Sequence, residues 1–145
     1  MSNSHTIRNL TTLVGLRSTE VERLQTEMAA QTAVRDRYQK NLERLTSLYT
    51  DSGPSGALHL ALSVNCGNFK QSVMELAQQH RTDLHLHEAN MAVSQRALNT
   101  AWAKREVLDQ VLTQKQRIVA TEQQRMDAKR QDELATQFWF RGQVK

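Results

Sequence analysis

The chain of 145 residues has a single cysteine, Cys66, and a single proline, Pro54. A lone thiol supports neither a CxxC redox couple nor a structural zinc site, and its isolation fits a reducing compartment. The sequence also lacks a Gly-rich phosphate loop, an HExxH pair and a GxSxG elbow, so the usual frameworks for nucleotide, metal and nucleophile chemistry are missing. Aromatic residues make up 5% of the chain and hydrophobic residues 39%, with a mean hydropathy of -0.62. Such a composition is lean for a globular core and fits either disorder or long helices that bury one narrow stripe. No apolar run approaches the length of a membrane span, and the opening "MSNSHTIRN" has no signal-peptide core, so the cytoplasm is the expected location.

Apolar spacing decides between disorder and helices. Alternating steps of four and three residues from Leu10 land on Val14, Arg17, Val21, Leu24, Met28, Gln31, Arg35, Tyr38, Leu42, Leu45 and Tyr49, all apolar except Arg17, Gln31 and Arg35. The same signature runs from Val73 through Ala77, His80, Leu84, His87, Met91, Ser94, Leu98, Ala101, Arg105, Leu108, Leu112, Lys115, Val119, Glu122 and Met126. A stripe that recurs every 3.5 residues is the seam of a left-handed coiled coil. No period-2 alternation of any length accompanies it, so no sheet is expected.

Between the two stripes lies "TDSGPSG", residues 50–56, which holds Pro54 and two of the five glycines, Gly53 and Gly56. Proline lacks an amide hydrogen and glycine tolerates positive φ, so this stretch stops one helix and lets the chain reverse. The sequence therefore predicts an all-α fold, a long antiparallel two-helix coiled-coil hairpin forming one domain over 1–145. Helix one covers about 6–50, a short turn 51–66, helix two about 67–137 and a tail 138–145. Residues 57–67 are apolar enough to form a short helix or the first turns of helix two, and Gly67 is a second weak point. At about 1.5 Å per residue the helices would be roughly 65 Å and 105 Å long, so helix two overhangs from about residue 110.

Two helices alone do not build a core thick enough to enclose a pocket, which favours contact surfaces over catalysis. The seam is interrupted by Gln31 and Arg35 and by His80, His87, Arg105, Lys115 and Glu122; such residues control register, snorkel outward, or mark a seam that opens for a partner. His80, His85 and His87 lack the i, i+3 or i+4 spacing of a helical metal site, so neither metal nor cofactor is expected. A net charge of +4 and 19 Lys and Arg raise nucleic-acid binding as an alternative, but acids interleave with the bases and no aromatic–basic platform appears. The densest basic run, "RMDAKRQDE", presents Arg125, Lys129 and Arg130. The tail "QFWFRGQVK" concentrates Phe138, Trp139 and Phe140 beside Arg141, a composition suited to an interface anchor and left unassigned to any partner.

The second half, with "NFKQSVMELAQQHRTDL" and "RMDAKRQDELA", resembles the FliJ family of flagellar type III export proteins. "LTTLVGLRSTEVERL" is similar to the family's Leu-rich opening, so the resemblance covers nearly the whole chain. It implies a non-enzymatic coiled-coil stalk, like the γ subunit of rotary ATPases. Such a stalk inserts into a hexameric export ATPase similar to FliI and promotes its assembly, contacts the cytoplasmic domain of an export gate similar to FlhA, and escorts export chaperones. It further implies a cytoplasmic protein, peripherally associated with the inner membrane at the export apparatus and monomeric when free. By position, Phe69 and Val73 match the gate-contacting pair, Val73 standing where a longer Leu is familiar. Leu10, Leu13, Leu16, Arg125, Arg130, Asp132 and Glu133 fall at the end that faces the ATPase ring. A stalk of a virulence secretion system and a homodimeric scaffold are the alternatives.

Overall fold

A computed structural model describes residues 2–52 and 60–143, with side chains from 3–52 and 62–143. Two helices account for nearly all of them: α1, Ser2–Asp51, and α2, Leu60–Gln143. They pack against each other as an all-α helical hairpin, and no strand occurs among the described residues.

Both helices outrun their expected ends. α1 begins at Ser2 instead of near residue 6, and α2 begins at Leu60 and continues to Gln143 instead of spanning 67–137. Gly67 lies inside α2, where open space surrounds the position of a Cβ. A helical glycine costs only about 1 kcal/mol, so the neighbouring turns carry the helix through it. Residues 60–66 therefore belong to α2, whereas Gly53, Pro54 and Gly56, to which the reversal was ascribed, lie outside the described residues. α1 closes with one backbone bond and two hydroxyls: Ser52 N donates to Leu48 O at 3.3 Å, Ser52 Oγ donates to the same carbonyl, and Thr50 Oγ1 donates to Thr46 O at 3.1 Å. Threonines within the helices behave alike, Thr32 Oγ1 donating to Met28 O and Thr100 Oγ1 to Arg96 O, each at 2.9 Å. These bonds satisfy a hydroxyl that would otherwise compete with the helix backbone.

Contacts divide the chain into two units, one of Met1–Val21 with Ala101–Lys145 and one of Glu22–Thr100. In the second unit the helices run antiparallel: Gln31 bonds to Ser94, Tyr38 meets His80, and Lys70 lies over Tyr49, so residue numbers rise on one helix as they fall on the other. Val73, Ala77 and Leu84 are its buried apolar side chains. His80, His87, Met91, Ser94 and Leu98 continue the same stripe half-buried, against Leu24, Met28, Gln31, Arg35, Tyr38, Leu42 and Leu45. Tyr49, expected in the seam, is 40% exposed, with the Lys70 ammonium 5.3 Å from its ring centroid.

In the first unit Val21, Ala101 and Leu112 are buried, while Leu10, Val14, Arg17, Arg105, Leu108 and Val119 are half-buried. Of the last expected seam positions, Val119 is covered but Lys115, Glu122 and Met126 are exposed, and every residue from Ala120 to Gln143 is exposed. Exposure becomes continuous from Ala120, about ten residues beyond the expected 110, and the earlier start of α1 at Ser2 accounts for about four of them.

Candidate interaction surfaces

Polar groups interrupt the seam of the second unit without forming a reactive centre. Gln31 Nε2 donates to Ser94 Oγ at 3.0 Å, and His87 Nε2 lies 2.8 Å from the Gln31 carbonyl. Tyr38 sits between two imidazoles, edge-on to His80 at 5.7 Å and tilted to His87 at 5.9 Å. His80 and His87 are thus seam residues packed on one tyrosine, and His85 points outward to Glu88 at 3.6 Å. Among the described residues no group of three or more His, Cys, Asp or Glu side chains is placed to hold a metal ion. Cys66 is half-buried on α2.

The ion pairs are local, and both side chains of each remain a third or more exposed. Arg17–Glu20 at 2.9 Å, Arg23–Glu27 at 3.4 Å and Arg130–Asp127 at 3.9 Å join residues three or four apart on one helix. Glu106 pairs with its neighbour Arg105 at 3.9 Å. Each such pair contributes only a few tenths of a kcal/mol, about 0.2–0.5, so these charges solvate the helices and do not build a site.

What remains are surfaces. Near the amino-terminal part of α2, a groove of about 190 Å³ is lined by Leu45, Thr46 and Tyr49 of α1 and by Val73, Met74, Ala77 and Arg81 of α2. Val73 is 7% exposed and forms part of its floor, whereas Phe69 stands 46% exposed one turn before it. The pair singled out from the sequence is therefore split into one side chain available to a partner and one that belongs to the core. Sequence reasoning missed Tyr49 and Met74 as groove walls. Met74 lies just off the seam, and nothing in a 3.5-residue repeat marks such a position.

In the other unit, Leu10 is half-buried while Leu13 and Leu16 are 45% and 63% exposed. Only Leu10 faces the seam; the other two are surface leucines of the same segment. Arg125, Arg130, Asp132 and Glu133 are all exposed on α2. They belong to the same unit as the three leucines. Phe138, Trp139 and Phe140 are 71%, 59% and 60% exposed, with Trp139 and Phe140 packed edge to face at 5.2 Å. Three consecutive helical positions point in three directions about 100° apart, so no single flat surface covers them all.

No helix of the described residues is long and apolar enough to cross a membrane. The family model described as "Flagellar FliJ protein" matches residues 6–144. No curated protein and no solved structure matches the chain.

Proposed function

The chain belongs to the FliJ family of flagellar export-related coiled-coil proteins, and from that membership we propose that it is a non-enzymatic stalk of the flagellar type III export apparatus. In this reading the end of α2, with Arg125, Arg130, Asp132 and Glu133, and the α1 residues Leu10, Leu13 and Leu16 engage a hexameric export ATPase. Phe69, with Val73 beneath it, engages the cytoplasmic domain of the export gate, and export chaperones are handed over on the helical surface. The protein works in the cytoplasm, at the membrane-embedded export machinery.

The observation that supports this reading most is the continuous exposure of α2 from Ala120 to Gln143. A helix held against a partner helix up to Val119 and free beyond it can enter the hole of a ring. A single stalk in a sixfold ring contacts the six subunits unequally, which biases both their assembly and their nucleotide cycle. Regulation of this kind needs no catalytic residue on the stalk.

The test is ATP turnover and hexamer formation of the cognate export ATPase with and without this protein. Stimulated turnover with hexamers, retained in a Phe69→Ala variant, is the expected result. Unchanged turnover and assembly in the presence of the folded protein would overturn the reading.

A further inference from the structure

The exposed end of α2 carries a second stripe that the seam does not explain. Thr121, Gln124, Ala128, Gln131, Ala135 and Phe138 follow one another in steps of three and four, all uncharged and all exposed. The seam that faces α1 runs instead through Leu112 and Val119 toward Glu122, Met126, Lys129 and Glu133, where it becomes largely charged. Each position of the uncharged stripe lies two residues after a seam position, about 200° around the helix, so it occupies the opposite face. The stripe has the 3.5-residue period and the charged flanks of a helix-pairing face, with Ala128, Ala135 and Phe138 as its apolar positions and Thr121, Gln124 and Gln131 as its polar ones.

One flank of the stripe repeats every seven residues as Ile118, Arg125, Asp132 and Trp139, and the other includes Asp127 and Leu134. This order is self-complementary in one direction only. In an antiparallel pair like flanks meet. With Phe138 set against Thr121 of the second copy, Ala135 falls against Gln124 of the second copy and Gln131 against Ala128 of the second copy, a longer side chain facing a smaller one in each layer. In the same register Arg125 meets Asp132 of the second copy, Ile118 meets Trp139 of the second copy, and the two-fold axis repeats both pairs. In a parallel pair unlike flanks meet, which sets Asp127 against Asp132 of the second copy and Phe138 against its own copy. Charge and size both select the antiparallel arrangement.

We propose that residues 117–142 of α2 pair antiparallel with the same segment of a second copy. The stripe of Ala, Thr and Gln buries little apolar surface, so the dimer is reversible, and the free chain is in a monomer–dimer equilibrium instead of the single monomer that the family resemblance implies. Ile118 and Trp139, 43% and 59% exposed in the single chain, become covered at the two ends of the interface. Because Arg125 and Asp132 are also proposed to face the ATPase ring, pairing would withhold that end until a ring displaces the second copy; the pairing itself does not depend on the ring reading.

Sedimentation equilibrium of the full chain, across a wide concentration range and without the ATPase, is the test. The mass should rise with concentration from 16.6 kDa toward twice that value. Asp132→Arg should raise the dissociation constant about tenfold, since it turns two attractive flank pairs into repulsive ones, and Arg125→Asp with Asp132→Arg should restore it. In a Cys66→Ser background, oxidising a mixture of Thr121→Cys and Phe138→Cys chains should give the mixed disulfide. A monomer at every concentration, a dimer indifferent to Asp132→Arg, or a Thr121→Cys homodisulfide in place of the mixed product would each overturn the proposal. The substitutions at 121, 125, 132 and 138 fall on exposed residues and Cys66→Ser is nearly isosteric, so circular dichroism should report unchanged helicity, and ATPase stimulation measured separately keeps the two proposals distinguishable.

Discussion

Gln31 Nε2 donates a hydrogen bond across the seam to Ser94 Oγ at 3.0 Å, while Gln31 Oε1 is buried with no hydrogen-bond partner. The amide is half satisfied, in a position where an apolar side chain would bury more surface. Removing only Ser94 Oγ leaves both ends of the amide without a protein partner, so Ser94→Ala should cost about 1–2 kcal/mol. Replacing both groups removes the problem, and Gln31→Leu with Ser94→Ala should be as stable as the natural chain or more so. Urea unfolding of these two variants and of Gln31→Leu alone separates the outcomes, because an additive result would mean that the two side chains do not act together. The apolar pair should also loosen register, since a directional bond that holds residue 31 opposite residue 94 has been exchanged for contacts indifferent to a one-turn slip.

The thinness of the core makes a second expectation quantitative. Leu84 is 8% exposed and Leu86, two residues on, is 64% exposed. Leu84→Ala should destabilise by about 2–3 kcal/mol, at the low end for buried leucines because two helices leave room for side chains to collapse into the gap. Leu86→Ala should change the unfolding free energy by no more than about 0.5 kcal/mol, the change seen at ordinary surface positions. Thermal or urea unfolding of the two proteins checks the contrast.

That contrast was already written in the 3.5-residue repeat, as was most of the fold. From Val73 to Leu112 every position assigned to the α2 seam is buried or half-buried, including His80, His87, Ser94 and Arg105, which composition alone would have sent to the surface. Periodicity works because a helix has one face for its neighbour, and a polar side chain at that face is covered whatever its chemistry. It fails where the neighbour ends: Glu122 and Met126 keep the period but have nothing to lie against. It was also silent on the start of α2, since Gly67 reads as a break while its helical cost is small, and on the groove beside Val73, where Thr46, Met74 and Arg81 from just off the stripe join stripe residues in the walls. The His87 bond to the Gln31 carbonyl joins residues 56 positions apart, and no local pattern announces it.

The groove separates binding from folding. Phe69 is 46% exposed and Val73 is 7% exposed, so Phe69→Ala should leave the unfolding free energy within about 0.5 kcal/mol, the scatter of surface substitutions. The same variant should weaken binding to the export-gate domain. Val73→Ala removes two buried methyl groups and should cost about 1.5 kcal/mol. Calorimetric binding beside urea unfolding gives both readouts, and a Phe69→Ala protein that is destabilised as much as Val73→Ala would place Phe69 in the core instead.

The end of α2 that carries Arg125 and Arg130 is open to a charge test of the proposed ring contact. Arg125 and Arg130 are exposed, and among the described residues Arg130 makes one long ion pair, to Asp127 at 3.9 Å, while Arg125 makes none. A pair that exposed contributes little to the fold. Arg125→Glu with Arg130→Glu should therefore leave helicity and unfolding unchanged while abolishing stimulation of the export ATPase. Like-charge variants of an interface change the association rate and its salt dependence before anything else. The natural protein should accordingly stimulate less as ionic strength rises, and the variant should show no such slope. Stimulation that survives both the substitutions and high salt would shift the contact to the apolar residues of the same end, Leu134, Phe138, Trp139 and Phe140, which are all more than half exposed.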